Sequence, residues 1–319
     1  MLVLSSRAMC QPKEPEKRKI DRDRLIMSGG GNRESEVAVA RGLAWLALQQ
    51  KEKGHWEFDG MSKDNVAATG LAILPFLAAG QGEAAADKYA KIVKSGLDWL
   101  SLQVEKDGKL AGTSNMYAHA IGALALCDGA RVTKDDRLKA KAEQTIQYIV
   151  KSQGNNGSWG YKGGTPTEGD TSIVGWQIQA LAAAKLAGIK IEWDKVYDLA
   201  YKFLASVSTD GSKYGYREKG ESWTLTPVGL LSRYYMMELS PRHPALGRGI
   251  DFIKKYPPQK GSFDMYYYYY ATQVVFIEFG PDWHKFWNPK MRDMLIDLQN
   301  KGGDDTKRGS WEKDQGFIG

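Results

Sequence analysis

Two carboxyl groups stand within three residues of each other in the run TEGDTS, Thr167 to Ser172. A carboxyl whose anion is stabilised by neighbouring donors or charges is a strong acid, and one Asp with one nearby Glu is a poor version of that. Asp170 and Glu168 are the catalytic candidates. Asp170 also has counterparts along the chain: Asp64, Asn115, Glu221 and Asp264 each open an apolar stretch, as Asp170 does. Asp and Asn at such positions accept the unpaired N–H groups of a helix start and gain from its dipole, each worth about 1 kcal/mol. Gathered at one end of a bundle, the same side chains would instead form a polar mouth. Aromatic residues accompany them, namely Tyr117, Trp176, Trp223 and the run Tyr266 to Tyr270. Aromatics can line a pocket for an apolar ligand or attract a cation to their faces. Asp64, Asn115, Tyr117, His119, Trp176, Trp223, Asp264 and Tyr266 are the ligand-binding candidates. His119 lies among alanines and leucines, where a histidine is usually a satisfied core residue rather than a base. Cys10 and Cys127, the only cysteines, have no zinc spacing and make no disulfide framework, so neither metal nor cofactor is expected.

The elements that must position these residues come from an internal repeat. RGLAWLALQQKEKGHW (41–56) is an amphipathic helix that ends in glutamines, a glycine and a tryptophan. SGLDWLSLQVEKDGKL, TIQYIVKSQGNNGSW, YKFLASVSTDGSKY and RGIDFIKKYPPQKGSF repeat it, the last with Pro257 where glutamine stood. KMRDMLIDLQNKGG is a weaker sixth copy through Met294, Gln299 and Gly303, with GSW (309–311) displaced downstream. A period of about fifty residues marks a repeat architecture. Between the copies lie stretches such as DNVAATGLAILPFLAAG and DMYYYYYATQVVFIEFG, apolar on nearly every side as a helix buried among others should be. KYAKIVKSGLDWL differs, setting Lys88, Lys91, Lys94 and Asp98 opposite Tyr89, Ile92, Val93 and Trp99. Each repeat is thus one amphipathic outer helix, a turn and one buried inner helix, and such pairs stack or close into a ring. Inner helices are predicted near 62–79, 113–128, 171–187, 222–239 and 265–279. Outer ones are predicted near 34–50, 88–104, 137–153, 195–208, 243–256 and 287–300.

The pattern R/K-G-x-x-aromatic-aliphatic-x-x-x-Gln-x-x-x-Gly-x-Trp resembles the QW repeat of squalene cyclases and their prenyltransferase relatives. Arg41, Gly42, Trp45, Leu46, Gln50, Gly54 and Trp56 meet it at every defined position, and Tyr148, Ile149, Gln153, Gly157 and Trp159 carry it in the third copy. The resemblance covers residues 36–311 and implies an all-α (α/α)6 toroid. GDTSIVGWQ, NMYAHAIGALAL and YYYYYATQ are similar to a bacterial branch of this superfamily that has no assigned reaction. Gln50, Trp56, Gln153 and Trp159 then read as structural clamps. The glutamine would donate to the carbonyls ending its helix, the glycine would allow a left-handed turn, and the tryptophan would cover the joint.

The chemistry known on this fold is not carried over with the repeat. Squalene cyclases of the hopene-forming type protonate an alkene with an acidic D-x-D-D-T run. Asp170 and Thr171 match only its end, with Gly169 at the preceding Asp and Thr167 at the first. The zinc-binding Asp-x-Cys of protein prenyltransferases is absent, since Ala125 stands where Cys127 would need its partner, and the Cys-Gly-Glu-Gln thioester run of complement-like toroids is missing too. The first expectation is therefore a toroid, enzyme or carrier, holding a hydrophobic, isoprenoid-like ligand in its centre. The alternatives are a non-catalytic protein-interaction scaffold and a glycan-processing α/α barrel. A sealed apolar cavity would favour the first, a filled centre the second, and an open acidic groove the third.

Composition adds boundaries. Residues 1–33 carry eight Lys/Arg and four Asp/Glu without apolar periodicity, and read as a disordered charged tail ahead of a toroid spanning 34–319. Most of the formal +6 charge sits in that tail, so the basic balance does not argue for nucleic acid. No stretch has the ~20 apolar residues of a membrane span, and MLVL is too short for a signal-peptide core. The compartment is either the cytoplasm or one reached from a precursor whose signal is not visible. After Trp311 only EKDQGFIG remains, so the sixth inner helix is expected to be missing and the chain to be shortened. The gap would expose parts of GLAILPFLAAG and YYYYYATQVVF, to be covered by further chain, a protein partner, a second copy or the tail before Glu36 folding back, of which the tail is too polar to bury.

Overall fold

The computed structural model describes residues 24, 26–60, 63–84, 86–237, 239–261, 264–302, 304 and 306–312. Among them six outer helices alternate with five inner ones. The outer series is α1 (Arg33–Gln49), α3 (Ala90–Leu102), α5 (Asp136–Lys151), α7 (Trp193–Ser206), α9 (Pro244–Ile253) and α11 (Asn288–Leu298). The inner series is α2 (Asn65–Ala78), α4 (Met116–Thr133), α6 (Thr171–Leu186), α8 (Leu225–Tyr235) and α10 (Met265–Glu278). A two-residue hairpin, β1 (Ser208–Thr209) with β2 (Lys213–Tyr214), sits in the fourth turn, and a π-helical turn (Asp282–Trp287) leads into α11. The all-α ring read from the periodicity is thus the observed architecture. Two inner boundaries move. α4 runs to Thr133, where Thr133 Oγ1 donates to the Gly129 carbonyl and Lys134 closes the helix in the left-handed region. α8 stops at Tyr235, ahead of Met237 at φ +67°.

The joints between repeats are made by the turns. Gln50 Nε2 donates to its own turn at the Gly54 carbonyl and to Ile92 of α3, both at 2.9 Å. Gln153 does the same with Gly157 and with Val196 of α7, at 3.0 Å each. The glutamine therefore ties two neighbouring outer helices rather than capping its own. Capping falls to the tryptophan: the Trp56 indole donates to Leu46 at 2.7 Å and the Trp159 indole to Ile149 at 2.8 Å. Gly157 adopts φ +90°, and a Cβ there would lie 1.8 Å from the Leu199 carbonyl of α7. The turn backbone rests directly on the next outer helix, which a larger residue would prevent.

The same joint closes the ring. Gln299 donates to Gly309 at 3.0 Å and to Ala38 of α1 at 2.8 Å, and Trp311 donates to Leu295 at 2.8 Å. The displaced GSW run therefore completes the sixth copy, and Gly303 lies outside the described residues. Gly42 of α1 lies under the Trp311 ring, and Trp45 donates to Thr306 at 2.9 Å. Contacts of the ring also begin ahead of the expected boundary at 34. Trp283 donates to the Gly29 carbonyl, and Asn288 and Arg292 donate to that of Gly30, at 2.8–2.9 Å. The rest of the expected tail, 1–23 and 25, lies outside the described residues.

Among the described residues the inner layer does not close. Each inner helix packs on the next from α2 to α10, but α10 and α2 have no comparable contact. Their outward stripes stay partly open: Leu71, Leu74 and Pro75 on α2, and Met265, Tyr269, Thr272 and Phe276 on α10. Both stripes flank the position a sixth inner helix would take, as the repeat count requires. Between α6, α8 and α10 the interior is filled, with Trp176 stacked on Tyr269 at 5.2 Å and Tyr270 fully buried beside Gln179.

Gly309 has φ +99°, and a Cβ there would lie 2.3 Å from the Arg41 carbonyl. Gly309→Ala should therefore cost about 3 kcal/mol or more in denaturant unfolding. Gly80→Ala, at φ +72° with nothing within 4 Å, should cost about 1 kcal/mol. Equal costs at the two positions would mean that the closing joint does not bear on stability.

Candidate functional site

Every inner helix follows a turn at the same end of the ring, so the inner N-termini share one rim. Inter-repeat hydrogen bonds hold that rim together. The Tyr161 carbonyl accepts from Met116, the first residue of α4, and the Tyr216 carbonyl from Thr171, the first of α6, at 2.9 and 3.0 Å. Their side chains meet above the rim, Tyr161 Oη to Tyr216 Oη at 2.7 Å.

Asp170 lies beneath them with no exposed surface. Its Oδ1 caps α6, accepting from the backbone of Ser172 at 3.0 Å and Ile173 at 3.2 Å and from the Ser172 hydroxyl. Tyr117 of α4 continues the chain, its hydroxyl 2.5 Å from Ser172 Oγ. Oδ2 is buried and has no hydrogen-bond partner, and the Arg217 guanidinium is 4.0 Å away. Burial of its phenol keeps Tyr117 well above the usual tyrosine range. Tyr216 and Tyr266 are raised likewise, by desolvation first, then by the side-chain hydrogen bond of Tyr216 with Asp170 and by the charge of that carboxylate beside Tyr266. These phenols therefore stay protonated and are available as donors at neutral pH. The arrangement can orient a carboxylate among phenol donors, because three donors hold one oxygen of Asp170 in place.

Gly169 explains why the acidic run is short. A Cβ at that position would lie 1.6 Å from the Trp159 carbonyl, so the crossing of the third turn excludes an aspartate there. Glu168 is exposed, while Asp170 is buried, and the structure does not bring the two carboxylates into one site.

The remaining candidates divide. Asp64 precedes α2 but makes no cap; its two oxygens accept from Ser114 N at 2.8 Å and Ser114 Oγ at 2.6 Å, bracing two repeats. Asn115 caps α4 through Tyr117 and Ala118, and Asp264 caps α10 through Tyr267. Glu221 pairs with Lys213. His119 is buried with both nitrogens engaged, Nδ1 by Leu110 N at 3.3 Å and Nε2 by the Thr145 carbonyl at 3.1 Å. Burial pushes it down to about 4, so it is a neutral core residue tying a turn to α5. Trp176 packs inside the ring, whereas Trp223 stands on the rim, stacked on Tyr256 at 5.6 Å. Tyr266 joins the group around Asp170 from α10.

Tyr161, Tyr216 and Arg217 are rim residues that sequence reasoning did not single out. The signal was present in the repeat, since Phe58, Tyr161 and Tyr216 each stand two residues after the turn aromatic. Phe58 belongs to a second feature, an open groove of about 310 Å³ on the α1–α2 side. Trp45, Leu46, Trp56, Leu71 and Ala72 supply its apolar wall. Among the described residues no group of three His, Cys, Asp or Glu is placed to hold a metal ion, and no helix is long and apolar enough to cross a membrane.

No protein-family profile matches the sequence, and no curated protein matches it either. Solved structures share its fold. A novel α-amylase from Clostridium perfringens is 12% identical over 87% of this chain and 91% of its own, with a TM-score of 0.61. The type II terpene cyclase MstE from Scytonema is 11% identical over 88% of this chain and 82% of its own, with a TM-score of 0.60. A variant of that cyclase in complex with its substrate geranylgeranyl dihydroxybenzoate is 10% identical over 87% and 80%, with a TM-score of 0.55. At these identities the likeness is one of fold.

Two outcomes follow from this geometry. An amide caps as well as a carboxylate, so Asp170→Asn should stay within about 1 kcal/mol of the parent in urea unfolding, while Asp170→Ala should cost about 2 kcal/mol. A larger loss in Asp170→Asn would mean that the charge itself supports the fold. His119, lowered in the folded state, should bind its proton more readily once unfolded. Its contribution is then complete above about pH 6.5 and is lost as pH falls toward 4, by about 3 kcal/mol. Urea unfolding between these limits should show a slope about one proton shallower in His119→Asn, and an unchanged slope would contradict the assignment.

Proposed function

We propose that this chain binds a hydrophobic, isoprenoid-like molecule on the open inner flank of its ring, with Asp170 at the polar end as the group for any proton transfer. One observation carries the reading: two inner helices leave apolar, aromatic-bearing stripes partly open on either side of a sixth inner position that no described helix fills. The open groove beside α2, about 310 Å³, sets Trp45, Trp56, Phe58 and Leu71 beside Gln49, Lys51, Glu57 and Asp59. The flank is preferred to the central cavity expected from the sequence because Trp176, Tyr269 and Tyr270 pack together between α6 and α10. The terpene cyclase of similar fold, crystallised with a prenylated substrate, supports the ligand class by analogy only.

A second reading rests on that same packing. Trp176, Gln179 and Tyr270 fill the region between α6, α8 and α10, as they would in a scaffold whose partners dock outside.

Farnesol titrated against the protein, followed by tryptophan fluorescence, should give saturable binding at micromolar concentrations. Leu71 is 38% exposed, so Leu71→Asp should keep the melting temperature nearly unchanged while weakening binding about tenfold or more. Absence of binding, or binding indifferent to Leu71, would favour the scaffold.

A further inference from the structure

We infer that the groove between α1 and α2 is a seat for the first turn of a helix from a partner protein, one with an apolar face and a basic residue at its cap. The third and fourth turns hold the starts of the preceding inner helices in this way. The Tyr161 carbonyl accepts from Met116 at 2.9 Å and the Tyr216 carbonyl from Thr171 at 3.0 Å, and Thr171 Oγ1 donates to Gly215 at 2.7 Å. Met116 and Thr171 are buried there. The first turn has the same layout, with Phe58 two residues after Trp56. The bond from Gln299 to Ala38 sets the sixth repeat beside the first, so this turn faces the sixth inner position. Among the described residues no N–H reaches the Phe58 carbonyl, and no helix fills that position.

The walls suit a helix. Ala68, Leu71 and Ala72 line the groove at the i, i+3, i+4 spacing of a helix-packing stripe, small on either side of large. Across the gap, Met265, Tyr269, Thr272 and Phe276 run along α10 at a similar spacing. The other sides of these two helices pack on α4 and α8. A helix in the gap would therefore extend the inner-helix interface that the ring already uses.

Charge selects among helices. At the fourth turn the cation belongs to the turn and the acid to the seated helix, Arg217 standing 4.0 Å from the Asp170 cap. Lys162 has the place of Arg217 in the third turn, and Asp59 has it in the first. Glu57 is paired by Lys51 at 3.6 Å and His55 at 3.1 Å, whereas Asp59 is exposed and has no ion pair among the described residues. An acid on the turn already meets the positive end of a seated helix. A helix with its own Asp cap would set two acids together there, while Lys or Arg at the cap reverses the Arg217–Asp170 pair. Such a helix would cover Leu71, so it and the hydrophobic molecule proposed above exclude each other.

The probes are two peptides of the α6 sequence, residues 169–187, acetylated at one end and labelled at the other for fluorescence anisotropy. One keeps Asp170 and one carries Asp170→Lys, so only the cap charge differs. The full chain should bind the Asp170→Lys peptide about tenfold more tightly than the unaltered one, and Asp59→Lys in the protein should reverse the order. Thr171→Pro in the Asp170→Lys peptide keeps a helix start but removes the N–H meant for Phe58. It should bind about fivefold more weakly than the same peptide with Thr171→Ala. Binding indifferent to the cap charge, or an order unchanged by Asp59→Lys, would overturn the inference. So would self-association of the chain that Asp59→Lys abolishes, with neither peptide bound, which would assign the seat to a second copy. Farnesol bound with neither peptide would overturn it and leave the hydrophobic reading standing. Peptide binding without farnesol binding would do the reverse. The preference of the parent chain for one peptide requires no variant, so the test does not depend on a substitution folding.

Discussion

The architecture depends on the approach of each turn to the neighbouring outer helix. At the third joint the Gly157 backbone touches the Leu199 carbonyl, at the sixth Gly309 touches that of Arg41, and a glutamine at each joint ties the two helices together. Such contacts fix how far one repeat turns relative to the next. Once that angle is set, six outer helices return to their start. The indole of the same turn satisfies a carbonyl of its own outer helix and covers the joint, so one short segment meets the polar and the apolar needs of the repeat.

The rim chemistry is a by-product of that joint. Two residues beyond the turn aromatic, the carbonyls of Tyr161 and Tyr216 hold the first residues of the preceding inner helices. The phenols are thereby placed over Asp170 by backbone bonds. The crossing that presses Gly169 against Trp159 seats Asp170 in the interior and forbids an acid beside it. A single carboxylate among phenols is what this joint permits.

The helices were legible because their periodicity is direct: amphipathic for the outer layer, apolar throughout for the inner. The turn glycines were legible as well, since few other residues suit a positive φ. The partners of Gln50 and Gln153 were not. Gly54 and Gly157 lie in the same motif, but Ile92 and Val196 are forty residues and more away and no local pattern names them. Glu168 and Asp170 stand two residues apart yet differ in burial, which spacing alone does not reveal. His119 could be read as core from its neighbours. The role of Tyr161 and Tyr216 required the repeats to be superimposed, because each is an ordinary exposed aromatic in isolation.

The closing joint pairs residues 261 positions apart, Gln299 with Ala38. Bringing such ends together in a flexible chain costs about 5 kcal/mol of loop entropy before any contact forms. The other joints close loops of 42 and 43 residues and cost about 3 kcal/mol each by the same rule. Assembly therefore proceeds by local accretion, repeat upon repeat, and each addition shortens the distance still to be bridged. The clasp at Trp311 and Gly42 is the last to form, so during synthesis α1 waits with one side uncovered until the final turn has been made.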